Sequence, residues 1–230
     1  MTPPLYDSLD GQVALVSGAN RGIGREIARR LADLGATVYA GSRSLDGFAP
    51  DWARPVRLDV TDADGVDRAV ARVREDGGRL DVLVNNAGVV DDAPLHEASR
   101  ADLDRVLDVN LRGAVWLTRA ALPALLSREG GRVVNVSSGM GALTGGMGGG
   151  SPAYRISKTG LNGLTAYLDG EYGPDLLANA ACPGWVRTRM GGESAPRSPA
   201  EGAETPVWLA RFRPGAPGGR FWRNRSELEW

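Results

Sequence analysis

A tyrosine and a lysine four residues apart, Tyr154 and Lys158, are the side chains in this sequence best suited to acid/base chemistry. On a helix, this spacing places both side chains on one face. A nearby cation lowers the pKa of a tyrosine from about 10, and such a phenol can protonate a carbonyl or deprotonate an alcohol near neutral pH. Ser137 and Ser138, at the end of an apolar run, supply hydroxyls for the same oxygen.

Lys158 is also the only lysine among the 27 lysine and arginine residues of the chain. The two cations are not interchangeable where a compact donor must fit or a neighbouring pKa must be tuned. The use of arginine everywhere else therefore indicates that position 158 requires an ammonium group.

The elements that must position these groups follow from short apolar runs that alternate with longer helical patterns. This alternation predicts an α/β fold: a single-domain, doubly wound Rossmann-type parallel sheet with helices on both faces, in one domain over residues 1–230. Segment 43–54 is too short and broken for a full helix, and 194–218 is an irregular Pro/Gly-rich C-terminal segment. The predicted strands are 12–17, 36–42, 55–59, 80–85, 132–137, 177–182 and about 219–223, and the predicted helices are 22–34, 62–75, 99–127, 152–172 and about 199–210.

Composition narrows the class of protein. The 230 residues are 42% apolar with a net charge of −1, which is typical of a globular domain and gives no sign of a nucleic-acid partner. Residues 1–11 lack the features of a secretory signal, and 133–154 is too rich in Gly, Ser and Thr for a membrane span. We expect a cytoplasmic protein without membrane association, and a homo-oligomer stays open.

A single cysteine, Cys182, excludes a disulfide within the chain, and a single histidine, His96, argues against a metal site. We expect Cys182 to be a buried packing residue and His96 to lie at the surface or at the edge of a substrate site.

The sequence GxxxGxG, formed by Gly18, Gly22 and Gly24, follows the first predicted strand and opens the first predicted helix. In this context, glycines bring backbone N–H groups to the pyrophosphate of a dinucleotide. The spacing differs from the more common GxGxxG. A turn that only lets the helix and strand pack closely therefore remains an alternative.

Cofactor choice is indicated at the end of the second predicted strand. An NAD site typically has an acidic residue there, whereas this chain has Ser42 and Arg43. Arg43, together with Arg21 in the glycine turn, predicts NADPH/NADP+ because guanidinium groups match the extra 2′-phosphate. The alternative is that both arginines are ordinary surface charges.

The chain resembles a classical short-chain dehydrogenase/reductase from the first strand to at least Thr188. Its C-terminal sequence is more similar to the carbonyl-reductase-like members than to the usual ending of the family. The family's motifs occur in order: the glycine turn, Asp59-Val60, the run from Asn85 to Gly88, Asn110, Ser138, the Tyr154/Lys158 pair and Pro183-Gly184.

The resemblance implies a role for each matched residue. Tyr154 would be the acid/base, Lys158 would hold the nicotinamide ribose and depress the pKa of the tyrosine, and Ser138 would polarise the substrate carbonyl. Asn110 would bind a water through a local distortion of its helix and extend the proton relay. The implied cofactor-binding set is Gly18, Asn20, Arg21, Gly22, Ile23, Gly24, Ser42, Arg43, Asp59, Val60, Asn86, Ala87, Gly88, Tyr154, Lys158, Pro183, Gly184, Val186 and Thr188.

Simpler interpretations stay open for three of these residues. Asp59 could cap the next helix, Asn110 could be a solvated helix residue, and Thr188 could be ordinary loop chemistry. The interval from Ser138 to Tyr154 is longer than usual in the family and rich in glycine, so we expect the loop 139–150 to form a wall of the substrate pocket.

The leading functional prediction is NADPH-dependent reduction of a ketone or aldehyde, a small-molecule substrate, with Tyr154 as the general acid. One alternative is an NAD(P)-linked alcohol dehydrogenase that works in the oxidative direction. Another is a non-catalytic dinucleotide-sensing protein on the same fold, which would not need Ser138, Tyr154, Lys158 and Asn110 together.

Overall fold

One eight-stranded sheet organises residues 2–230, the part of the chain that this computed structural model describes. The strands are β1 (Val13–Val16), β2 (Thr37–Ser42), β3 (Arg54–Arg57), β4 (Val82–Asn85), β5 (Gly131–Val136), β6 (Leu176–Ala181), β7 (Arg220–Arg223) and β8 (Ser226–Leu228). The helices are α1 (Gly22–Asp33), α2 (Ala63–Gly77), α3 (Arg100–Leu107), α4 (Gly113–Leu126), α5 (Pro152–Tyr172) and α6 (Pro199–Ala210).

The strand order is β3-β2-β1-β4-β5-β6-β7-β8, and every neighbouring pair is parallel except β7 and β8. The order reverses between β1 and β4. In open α/β sheets, ligands bind beyond the carboxyl ends of the strands at such a switch point.

Helices cover both faces of the sheet, as the doubly wound prediction requires. One core contains Ile27 and Leu31 of α1 with Trp208 of α6, and the core on the other face contains apolar residues of α2, α4 and α5. Strands buried on both sides explain the continuous apolar runs of β1 and β4.

Most predicted elements are present, with boundaries shifted by one or two residues. As expected, segment 43–54 contains no helix, and 194–218 is irregular apart from α6. The predicted helical segment 99–127 is present, and a π-helical turn, Asp108–Arg112, separates α3 from α4 at the position where the family resemblance implied a distorted helix.

The strand β8 was not predicted. It forms an antiparallel hairpin with β7 through a turn at Asn224 and Arg225, both of which have positive φ (51° and 62°). The hairpin is anchored by Trp222, whose Nε1 donates to Asn179 Oδ1 at 2.9 Å. Within residues 2–230, no helix has both the length and the apolar character needed to cross a membrane.

Candidate active site

The residues predicted to transfer a proton meet at the carboxyl edge of the sheet. Tyr154 and Lys158 lie on one face of α5, with Lys158 Nζ 5.5 Å from the centroid of the Tyr154 ring. Lys158 is buried, and its Nζ donates to the carbonyl oxygen of Val136, the last residue of β5, at 2.8 Å. The predicted pair is therefore formed, and the lysine is fixed to the end of a central strand.

Ser138 follows β5 and begins a 3-10 turn, Gly139–Gly141, that packs directly on α5. A Cβ at Gly141 would lie only 2.6 Å from the carbonyl carbon of Lys158, so this close approach requires glycine. The Ser138 hydroxyl accepts a hydrogen bond from Met140 N at 3.1 Å and lies near enough to the Tyr154 phenol to act on its pKa. The serine and tyrosine hydroxyls can thus contact one substrate oxygen.

The charges in this site differ from the sequence-based expectation. Burial raises the pKa of Tyr154, and the nearby Ser138 hydroxyl offsets part of that effect. Burial also lowers the pKa of Lys158 to about 8. The pKa of Tyr154 is therefore raised and not lowered as expected, because desolvation of the phenol is the largest effect.

Asn110 occupies the π-helical turn and is buried, so the interpretation as a solvated helix residue is wrong. Its Oδ1 accepts from Val89 N at 2.8 Å, and its Nδ2 donates to Val89 O at 2.9 Å and to Ser157 Oγ at 3.0 Å. The Asn110 side chain therefore joins the segment after β4 to α5.

Gly88 joins this region to the fourth strand. A Cβ at Gly88 would lie 3.5 Å from Asn110 Oδ1 and 3.8 Å from Lys158 Nζ. The segment after β4, the π-helical turn and α5 therefore meet at one point.

The glycine turn is held by the segment after β4. Ser17 Oγ accepts from the backbone N–H groups of Asn86 and Ala87, and the Asn86 amide donates to Ser17 O and Gly18 O. A Cβ at Gly24 would lie 2.3 Å from Asn86 Nδ2, so close packing explains that glycine. Asn86 thus shapes the turn through its amide nitrogen.

The N-terminus of α1 is chemically suited to a phosphate. It has no acidic residue in its first turn and no side-chain cap, and its N-cap position is occupied by Arg21. The first N–H groups of a helix have no partner within the helix and carry a partial positive charge. A dinucleotide phosphate would supply the acceptors that this chain does not.

Three arginines surround that helix terminus. The pKa of Arg21 is lowered, first by burial and then by the nearby charges of Arg189 and Arg43. Between residues 2 and 230, none of the three makes an ion pair with a carboxylate. Uncompensated guanidinium groups beside free N–H groups fit a ligand with several negative charges.

Arg189 was missed in the sequence because its proximity to Arg21 depends on folding. A Cβ at Gly22 would lie 3.3 Å from the methyl group of Thr188, so the segment after β6 packs on the glycine turn. The only signal in the sequence was the position of Arg189 directly after the motif residue Thr188.

The remaining predicted cofactor residues lie around the same edge of the sheet and differ in their burial and in their hydrogen bonds within the chain. Asp59 does not cap α2: its carboxylate accepts from Thr61, and the N-cap is Asp62. Val60 is buried, and Gly113 of α4 leaves room for it. Thr188 Oγ1 accepts from Gly191 N, so the threonine also shapes its own loop. Asn20 and Ile23 are half-buried in the glycine turn, Ser42 is buried at the end of β2, and Pro183, Gly184 and Val186 follow β6.

The single cysteine and the single histidine of the chain lie in the environments that the sequence predicted. Cys182 is buried, although it also accepts hydrogen bonds at Sγ from Gly139 N and from Arg223. His96 is largely exposed beside Glu97.

Comparison with known proteins agrees with this geometry. Residues 12–198 match the family model described as short chain dehydrogenase. The chain is 37% identical over 217 residues, 89% of its length and 85% of the relative's, to the 3-oxoacyl-[acyl-carrier-protein] reductase FabG of Thermotoga maritima. It is 39% identical over 191 residues, 79% of its length and 72% of the relative's, to the oxidoreductase UcpA of Salmonella typhimurium.

Solved structures give the same result. A dehydrogenase/reductase from Sinorhizobium meliloti 1021 superposes with a TM-score of 0.86 at 31% identity, covering 94% of each chain. A short chain dehydrogenase from Burkholderia cenocepacia J2315 in complex with NADP gives a TM-score of 0.85 at 29% identity, covering 94% of this chain and 96% of that one. With the family model, these similarities show that this chain belongs to the short-chain dehydrogenase/reductase family of oxidoreductases.

Proposed function

We propose that this protein is an NADPH-dependent carbonyl reductase that converts a ketone or aldehyde to an alcohol. The observation that carries the proposal is the Tyr154 phenol, which lies near Ser138 and beside the buried Lys158 at the carboxyl edge of the sheet. A proton donor and a second hydroxyl directed at one oxygen are the groups that carbonyl reduction requires.

The substrate oxygen accepts hydrogen bonds from the Ser138 and Tyr154 hydroxyls. When bound, NADPH would supply a hydride to the carbonyl carbon and would be left as NADP+. The C=O π bond breaks, its electron pair moves to oxygen, and that oxygen takes the phenolic proton as the Tyr154 O–H bond breaks. Lys158 places a cation 5.5 Å from the centroid of the Tyr154 ring, where it favours negative charge on the phenol oxygen, although burial of the phenol has the larger effect on its pKa. Asn110 holds the Val89 segment and Ser157 of α5 in place around this pair.

The chain's own residues fit NADPH. The glycine turn and the uncapped α1 N-terminus suit the pyrophosphate, and Arg43 with Arg21 suits the 2′-phosphate. Arg189 adds a third cation to this cluster. The similar Burkholderia cenocepacia protein in complex with NADP and the reductase name of the Thermotoga maritima relative support the same assignment.

The direct test is oxidation of NADPH and NADH, followed at 340 nm, against a panel of aldehydes, ketones, quinones and cyclic diketones. We expect at least one carbonyl class to be reduced, with NADPH preferred over NADH. A protein that binds NADPH and reduces none of the panel would instead favour the dinucleotide-sensing alternative. Faster turnover of alcohols with NAD+ would favour the oxidative dehydrogenase.

A further inference from the structure

Arg223 is a charged residue at the reactive edge of the sheet that the proposed mechanism does not use. It is the last residue of β7, which runs parallel to β6, and Cys182 N donates to Trp222 O at 2.8 Å. This pairing places the end of β7 beside the segments that carry Cys182 and Ser138.

The guanidinium of Arg223 is hydrogen-bonded to the sulfur atom of Cys182. Its Nε and Nη2 lie 3.2 and 3.0 Å from Cys182 Sγ, and the same sulfur accepts from Gly139 N. A Cβ at Gly139 would lie only 2.5 Å from Nη2. The group therefore rests on the main chain of the residue that directly follows Ser138, and a side chain at that position would displace it.

The charge on Arg223 is not compensated by a carboxylate anywhere in residues 2–230. Other arginines nearby do have partners: Arg220, at the start of the same strand, pairs with Glu227, and Arg197 donates to Asn224 Oδ1 at 2.6 Å. Arg223 is instead anchored by a sulfur atom, which is a weak acceptor. Its Nη1 amino group makes no hydrogen bond in this structure, and the side chain is exposed.

An oriented, uncompensated guanidinium is the side chain best suited to bind a carboxylate, because it presents parallel N–H donors. Its position relative to the proton-transfer groups limits the ligand. Arg223 touches Gly139, the residue next to Ser138, and Cys182, which lies near enough to Tyr154 and Lys158 to act on both electrostatically. We therefore expect a ligand that reaches both Arg223 and the Ser138 hydroxyl to have its carboxylate close to its carbonyl.

We propose that Arg223 binds a carboxylate of the substrate, so that the substrate class is a short oxo acid with its carboxylate a few bonds from the carbonyl. This inference rests on the proposed carbonyl reduction and adds the substrate class to it. Arg223 is then a specificity-determining residue, since it contacts the substrate away from the reacting carbon.

The test compares acetoacetate with methyl acetoacetate, and pyruvate with methyl pyruvate, in the parent and in Arg223→Gln. We expect kcat/KM of the parent to favour each carboxylate over its ester by about tenfold or more, as charge-assisted hydrogen bonds allow. In Arg223→Gln this preference disappears, because the carboxylate value falls about 10- to 100-fold while the ester value stays within about threefold.

Two further variants separate specific binding from general damage. Gly139→Ala keeps the charge but displaces the flexible guanidinium, so it should reduce the carboxylate-to-ester ratio as Arg223→Gln does. Arg225→Gln removes an exposed cation from the adjacent turn and should leave the ratio unchanged. Thermal midpoints and NADPH dissociation constants of all variants verify that the fold and the cofactor site are intact.

A binding measurement separates this inference from the proposed function. Acetoacetate is titrated calorimetrically into the NADP+-loaded parent and into NADP+-loaded Arg223→Gln. Binding to the parent that is lost in the variant supports the carboxylate site even if no carbonyl is reduced. A parent that reduces neutral carbonyls without preferring carboxylates, or that binds acetoacetate no better than the variant, overturns the inference and leaves carbonyl reduction standing.

Discussion

Lys158 is buried beside Tyr154, and its ammonium group donates to the carbonyl oxygen of Val136. This contact fixes the position of the cation, and the burial limits its size. Lys158→Arg should retain part of the NADPH binding but lose most turnover. The broader guanidinium cannot occupy the same buried space without displacing Tyr154 or the cofactor ribose. NADPH affinity by fluorescence titration and steady-state kcat measure the two effects. Equal kcat in parent and variant would show that a compact ammonium is not needed.

Arg43 tests the cofactor proposal at a single position. Arg43→Ala should weaken NADPH binding by about ten- to a hundredfold and leave NADH binding nearly unchanged, because only NADPH carries the 2′-phosphate. The dissociation constants of the two cofactors measure this. Arg57→Ala, an exposed arginine on β3, is the matched control. An unchanged affinity ratio in Arg43→Ala would exclude this arginine as the residue that reads the phosphate.

Arg189→Ala addresses the third cation of the same cluster. We expect a loss of NADPH affinity that diminishes as salt concentration rises, because salt screens contacts between exposed charges. Arg25→Ala, an exposed change on α1, is the control. If NADPH affinity is the same in Arg189→Ala and the parent at low salt, then Arg189 is only a neighbour of Arg21.

Between the elements, the loop 139–150 connects Ser138 to α5 and is tied to the helix by Arg155, whose Nε donates to Gly150 O at 2.7 Å. Gly149 and Gly150 have positive φ (100° and 80°), so alanine there strains the backbone. Replacing residues 148–150 by alanine should change the relative kcat/KM of different carbonyls more than NADPH affinity. Gly163→Ala, in open space on α5, is the control. Equal effects on both quantities, or none, would remove the loop from the substrate pocket.

The elements that the sequence predicted well are those with a strong periodic signal and a clear punctuating residue. Helix α5 begins at Pro152, a favoured first helical residue, and its predicted bounds match the structure. The strand β8 was not predicted because its turn uses Asn224 and Arg225, whereas the sequence signal for such a two-residue turn is Asn-Gly. The π-helical turn at Asn110 has no periodic signature, and only the family resemblance implied a distortion there.

The candidate site was predictable where residues close in sequence act together, as Tyr154 and Lys158 do across one helical turn. It was not predictable where residues that are far apart in the sequence meet in the folded chain. Arg189 reaches Arg21 because Thr188 packs on Gly22, and Arg223 reaches Gly139 because β7 pairs with β6. The pKa of Tyr154 also depends on burial, which spacing alone does not report.

For the molecule as a whole, the buried Lys158 makes stability depend on pH. Its pKa is about 8 in the folded protein and 10.5 without the fold. Between these values the unfolded chain binds the additional proton, so raising the pH favours the folded state. Below about pH 8 both states carry the charge, and the folded state bears the full cost of its burial.

Lys158→Met removes this titration. The difference in unfolding free energy between parent and Lys158→Met should therefore shift in favour of the parent as pH rises from 8 to 10.5. Urea unfolding of ligand-free protein at several pH values measures it. A difference that is constant over this range would show that the lysine pKa is the same in both states.

The proton donor itself gives the most direct test of the account. Tyr154→Phe keeps the ring and removes the phenolic proton, so NADPH-dependent reduction of the best carbonyl substrate should fall by about 10²–10⁴-fold. NADPH affinity should stay within a few-fold, and Tyr167→Phe, an exposed change on the same helix, should behave as the parent does. A Tyr154→Phe protein that reduces its substrate at nearly the parent rate would contradict Tyr154 as the general acid.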